Sequence, residues 1–154
     1  MRKTSTAAAG VVAALLAALT ASAGSRPVLN LTLSGQAKGA GLHGKVHGGF
    51  VRCYPAGQGL EVQWSGALKI GGAVKEVSGD VNFQRTGKST FGSRGTATAS
   101  LVVNGDYGNR LGSSLPGGAG AATVAANRRS GTISVKLVGG PGAKVQEQGS
   151  WVCG

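Results

Sequence analysis

Leu60-Glu-Val-Gln-Trp-Ser-Gly-Ala-Leu68 is the stretch whose reading decides the fold. Leu60, Val62, Trp64, Gly66 and Leu68 fall on one side of it, and Glu61, Gln63 and Ser65 on the other. A period of two is the signature of a strand with one buried face, because successive side chains of extended backbone point to opposite sides. Gly71-Gly72 ends the run. The same alternation recurs on both sides. Upstream, Leu29, Leu31 and Leu33 alternate with Asn30 and Thr32, Gln36 to Gly44 reads as a turn, and Lys45 to Tyr54 reads as a strand closed by Pro55 to Gly59. Downstream, Val77, Gly79, Val81 and Phe83 alternate with Ser78, Asp80 and Asn82, and Arg85 to Ser89 reads as a polar turn. Ala97, Ala99, Leu101 and Val103 form the next apolar row, which stops at the turn pair Asn104-Gly105.

Residues 105–120 are the longest candidate loop, rich in glycine. Beyond it, Ala122, Val124 and Ala126 face Ile133, Val135 and Leu137 across the turn Asn127 to Gly131, a hairpin pattern. The last strand runs from Val145 to Cys153, with Val145, Gly149, Trp151 and Cys153 on one side. About eight short strands with turn chemistry between them predict an all-β antiparallel sandwich, with a barrel as the alternative. After residue 23 no stretch keeps a helical period. Trp64 and Trp151 both fall on apolar rows, which assigns them to the core.

Composition agrees with this reading. Glycine supplies 29 of 154 residues, against a usual share of roughly 7%. Glycine without a three-residue period excludes collagen, and 41% hydrophobic residues with regular strand patterning argue against a disordered chain.

Residues 1–23 read as an export signal. Arg2 and Lys3 are a positive start, Ala7 to Ala18 is apolar, and Ala21-Ser22-Ala23 is the small-x-small site of a signal peptidase. The apolar stretch is shorter than the ~18 to 20 residues that cross a bilayer, so no membrane span is expected. Residues 24–154 are then a single secreted β domain. Loss of Arg2 and Lys3 lowers the formal charge from +11 to +9. Cys53 and Cys153 are the two cysteines, and export to an oxidising compartment makes one disulfide between them the default. A metal site would need more ligands at closer spacing, and a thiol nucleophile would need a basic partner that the sequence does not place.

Motifs for catalysis are weak. His43 and His47 on a strand would lie about 13 Å apart, too far to share an ion, and the same distance separates Glu76 from Asp80. No Gly-x-Ser-x-Gly elbow precedes a helix. The chain is therefore read as non-enzymatic, without catalytic residues, metal ligands or cofactor. The positive charge favours anionic envelope polymers. Two Trp, two Tyr and three Phe are few for stacking bases, so no specific nucleic acid is expected. Candidate ligand-binding residues are Arg110 and Leu115, in the 105–120 loop, and Arg128 and Arg129, in the hairpin turn.

Val46-His-Gly-Gly-Phe-Val-Arg-Cys53, the Trp64 strand, the paired strands around residues 127–137 and the closing Gln148-Gly-Ser-Trp-Val-Cys153 resemble the mycobacterial lipoprotein-antigen family of small actinobacterial envelope proteins. The resemblance spans residues 46–153. It implies a β-rich domain behind an export signal, an early cysteine paired with one at the end, an envelope or extracellular setting, and no catalytic residues. Family members carry a lipidated cysteine directly after the signal. This chain has none there, so membrane anchoring does not carry over. The expectation is thus a secreted, non-enzymatic β-sandwich with a binding or structural role at the cell wall or outside it. Its alternative is a specific binder of a polysaccharide or a protease acting through the 105–120 loop.

Overall fold

A computed structural model describes residues 26–37, 40–106 and 109–154; the expected export signal lies outside the described residues. The alternating runs form eleven antiparallel strands, and no α-helix occurs among the described residues. In chain order they are β1 (Val28–Ala37), β2 (Ala40–Lys45), β3 (His47–Ala56), β4 (Gly59–Ile70), β5 (Ala73–Phe83), β6 (Gly87–Phe91), β7 (Ala97–Val103), β8 (Leu111–Gly112), β9 (Ala119–Val124), β10 (Ser130–Val138) and β11 (Lys144–Val152).

They make one hydrogen-bonded sheet in the order β2-β1-β11-β10-β8-β7-β5-β4-β3, with β9 pairing both β10 and β6. The sheet folds on itself at β8, which touches β7 on one side and β10 on the other. It is not closed into a barrel. Layer β3-β4-β5-β7 packs over layer β2-β1-β11-β10-β9-β6, and the side chains between them make a single core. Leu60, Val62, Trp64 and Leu68 of the deciding stretch are all buried there, as are Leu31, Leu33 and Trp151.

Eleven strands stand where about eight were expected. The three additions, β2, β6 and β8, lie in segments read as turn or loop. Their sequences, such as Ala-Gly-Leu-His-Gly-Lys and Gly-Lys-Ser-Thr-Phe, have too little apolar contrast for periodicity to register. They are strands because a neighbour offers backbone partners: β1 for β2, β9 for β6, and β7 with β10 for β8. The 105–120 segment is correspondingly held down in its middle. Leu111 and Ser113 are buried, and Ser113 Oγ accepts the Ala99 N–H at 2.8 Å.

Aromatic packing and one covalent bond join the layers. Trp151 of β11 stacks on Phe83 of β5 at 5.5 Å between centroids, and Phe83 meets Phe91 of β6 edge-on at 6.4 Å. Cys53 of β3 and Cys153, just beyond β11, form the disulfide, across a sequence separation of 100 residues. Two glycines make room for the tryptophans. A Cβ on Gly79 would sit 2.7 Å from the Trp64 ring, and one on Gly131 would overlap the Trp151 ring.

Closing so long a loop removes much of the freedom of the unfolded chain, at most about 4.7 kcal/mol in the loop-entropy model. Replacing Cys53→Ser together with Cys153→Ser is expected to lower unfolding free energy by about 2 to 5 kcal/mol. Urea unfolding of the two proteins side by side measures this. An unchanged midpoint would show that the bond does not constrain the fold.

Candidate functional site

The outward positions of β3, β4, β5 and β7 form a grid set by register. Tyr54 lies beside Glu61, which pairs with Asn82 and then Thr98; Arg52 lies beside Gln63, then Asp80, then Ser100; Phe50 lies beside Ser65, then Ser78, then Val102. Cross-strand neighbours are about 4.5 to 5.5 Å apart at Cβ, close enough to act together. Phe50 joins this face because of a bulge. Between His47 and Phe50 the register shifts by one residue, with Gly48 and Gly49 at positive φ of 64° and 84°. The extra residue changes the parity of the strand, so Phe50, Arg52 and Tyr54 point outward while Val51 points into the core. A side chain at Gly49 would also strike the Ser65 carbonyl.

A groove of about 440 Å³ crosses this grid, lined among others by Phe50, Glu61, Gln63, Glu76, Asp80 and Arg110. Its polar groups are ordered by one another. Arg110 Nη2 donates to Asp80 Oδ1 and to Ser100 Oγ. Ser100 Oγ donates to Asp80 Oδ1, and Asn82 Nδ2 donates to Asp80 Oδ2 at 3.2 Å. Gln63 Nε2 donates to Glu61 Oε1 at 2.7 Å. Arg110 and Asp80 are 49% and 27% exposed, so their ion pair adds little to stability and mainly fixes where both groups point. Phe50, in the groove lining, is 45% exposed, and Tyr54, paired with Glu61, is 40% exposed; the Arg52 guanidinium lies 4.9 Å from the centre of the Phe50 ring. This arrangement offers oriented hydrogen-bond donors and acceptors beside aromatic surface. Three donors converge on Asp80 and fix its orientation.

The four ligand-binding candidates separate. Arg110 enters the groove. Leu115 is 44% exposed but outside it. Arg128 and Arg129 line a different pocket, beside Cys53, Cys153 and Leu60. There Arg128 Nη1 donates to the Gly57 carbonyl at 3.1 Å, and Arg129 Nη2 to the Gly154 carbonyl at 3.5 Å. These two arginines tether loops around the disulfide. His43 and His47 lie on different strands, and no group of three or more potential metal ligands occurs among the described residues. Asp80 and Ser100, the partners of Arg110, and Glu61 and Phe50, which line the same groove, were missed. Residues 61, 80, 100 and 110 meet only through cross-strand register, which no local spacing reveals.

Beneath the groove lies Glu147, on the inner side of β11 and fully buried. Neither carboxyl oxygen has a hydrogen-bond partner, and the Trp64 indole N–H also lacks one. Burial pushes the carboxyl up from 4.5 to about 8; the nearby Trp64 indole N–H opposes the rise and the charge of Asp80 adds to it. The folded protein thus holds Glu147 neutral at pH values where the unfolded chain ionises it.

The direction of the resulting pH dependence is fixed. Below pH 4.5 both states carry the proton, and the cost of burying the unpartnered carboxyl does not change with pH. Between 4.5 and about 8 only the folded state carries it, so stability falls as pH rises. The slope is about 1.4 kcal/mol per pH unit for one proton, and the loss levels off above the folded pKa. Glu147→Gln is expected to abolish this slope. Urea midpoints at pH 5, 7 and 9 check it, and a wild-type midpoint that does not fall from pH 5 to 7 would contradict it.

No family model, curated protein or solved structure matches this chain.

Proposed function

We propose that the protein is an exported, non-catalytic binding protein of the cell wall or extracellular space, and that its β3-β4-β5-β7 face seats an extended, hydroxyl-rich polysaccharide. The observation that carries the reading is the groove itself. Glu61, Gln63, Asp80, Ser100 and Arg110 present fixed donors and acceptors beside the exposed rings of Phe50 and Tyr54. A sugar ring offers the matching pair of surfaces: hydroxyls at its edge and an apolar face that lies on an aromatic ring. Phe50 and Tyr54 are four residues apart on one strand, about 13 Å, which suits a chain rather than a single sugar. Export rests on the pattern of residues 1–23, and the envelope setting also on the resemblance of residues 46–153 to the lipoprotein-antigen family. The disulfide is compatible with an oxidising compartment.

Recognition of this kind depends on shape and hydrogen bonds and is expected to survive moderate salt. Titration of the protein with soluble neutral polysaccharide chains should give saturable binding at 300 mM salt, a concentration where the Debye length is only about 5 to 6 Å. Phe50→Ala and Arg110→Ala should each weaken it about tenfold, the effect of removing roughly 1.4 kcal/mol of contact. Leu115→Ala, outside the groove, should leave it unchanged. No saturable binding, or equal loss from Leu115→Ala, would refute the assignment.

A further inference from the structure

The outward positions of the second layer have a different chemistry. Across β1, β11, β10, β9 and β6, register aligns Asn30, Ser150, Thr132, Thr123 and Lys88 in one row. The next row runs Lys45, Thr32, Gln148, Ser134, Ala121, Thr90, starting from β2. Beyond it come His43, Ser34, Gln146 and Lys136. Lys144 follows on β11, paired with Gln36. No Asp or Glu occupies an outward position on these six strands. Their one carboxylate, Glu147, points into the core. On the other layer, Glu61, Glu76 and Asp80 all line the groove. The carboxylates on the outward faces of the strands are therefore sorted onto one layer, and the other presents lysines, amides and hydroxyls, with His43 and a few small or aliphatic residues, and no negative charge.

We infer that this carboxylate-free face is a binding surface for an acidic polysaccharide. Its charge is of the right sign and has the right layout. Lys45 on β2 and Lys88 on β6 are separated by five strand spacings, about 24 Å at ~4.8 Å each, and Lys144 and Lys136 lie between them on β11 and β10. All four are exposed. Charges distributed so widely do not enclose one compact anion; they match a chain with negative groups at intervals. Lysines act as point charges and impose no planar geometry on the partner. Between them a shallow trough of about 390 Å³ is lined by Ala121, Thr123, Thr132, Ser134 and Gln148. Its hydroxyls and amides fit the uncharged part of such a chain. Outward aromatic residues are absent from these six strands, which disfavours a nucleic acid that would need its bases stacked. The inference concerns a different face from the neutral-polysaccharide seat and does not depend on it.

Polygalacturonate, a soluble polycarboxylate, and its methyl ester, which lacks the charge, are the probes. Polygalacturonate is expected to bind at low ionic strength and to lose at least tenfold in affinity by about 300 mM salt, as counterion release requires. Lys136→Gln combined with Lys144→Gln should weaken binding about tenfold. Lys69→Gln combined with Arg52→Gln, which removes the same charge from the other layer, should change it less than twofold. Phe50→Ala should also have no effect, which separates this surface from the groove whether or not the groove binds sugar. The inference is overturned if the two charge pairs act equally, because net charge alone would then suffice. It is also overturned if the double lysine variant binds polygalacturonate as well as wild type does, or if that variant loses as much affinity for the uncharged ester as for polygalacturonate. Tighter, lysine-dependent binding of single-stranded DNA or of anionic lipid vesicles than of polygalacturonate would replace the polysaccharide with that partner.

Discussion

The contact of Trp151 with Phe83, reinforced by the neighbouring Cys53–Cys153 bond, is the constraint on which the rest of the molecule depends. It pins the last strand of one layer against the other layer. It also fixes which side of β11 faces inward. Because side chains alternate, a Trp151 that must point in takes Val145, Glu147, Gly149 and Cys153 with it. A slip of one residue would expose the tryptophan and bury Gln146, Gln148 and Ser150 instead. β11 lies between β1 and β10, so its register sets theirs. The order of side chains on the lysine-bearing face follows from that single choice.

The same constraint explains the buried acid. Val145 and Trp151 each gain far more from burial than a surface position would give them, about 1.5 to 3 kcal/mol for a large apolar side chain. Holding Glu147 neutral costs free energy that grows only as pH rises above its ordinary value. Alternation offers no way to keep the first two inside and the third outside short of a bulge, and β11 pairs regularly with both neighbours. Glu147 is thus the cost of a regular strand rather than evidence of a reaction. Gly149 eases the same strand in another way: its φ of +154° and the nearness of the Asn30 carbonyl leave no space for a Cβ.

Much of the fold was legible because alternation is a local property. Leu60 to Leu68 and Val77 to Phe83 declare their inner and outer sides in their own residues, and the disulfide was expected from two cysteines in a chain whose first residues read as an export signal. β2, β6 and β8 were not legible, since their pairing comes from neighbours and their glycines carry no hydrophobic signal. Glu147 shows another limit. Its parity with Val145 and Trp151 placed it inward, but a carboxylate on an apolar row is readily passed over. The groove was illegible for a third reason. Arg110 was visible as a candidate, whereas its union with Asp80 and Ser100 rests on β5-β7 register and on Leu111 being drawn into the core beside it. Phe50 depended on a bulge at two glycines that lie inside the stretch read as one continuous strand, Lys45 to Tyr54.

What the sandwich adds to these local facts is separation. Every strand contributes alternate residues to a shared core, so the outward residues of the two layers are held on opposite sides of a dry interior, with the sheets about 10 Å apart. Electrostatic interaction across such an interior would penalise a negative ligand near Glu61, Glu76 and Asp80 and favour it beside the lysines. Net charge alone, +11 over the whole chain, would attract polyanions indiscriminately over the surface. The placement of the carboxylates opposes this on one face, because three of the five acidic residues line the groove where Phe50 and Arg110 lie. On the groove layer, cations such as Arg52 and Arg110 are thereby offset by carboxylates, while the lysines of the opposite layer have none beside them. The two outward surfaces thus differ in chemistry although one shared core fixes both.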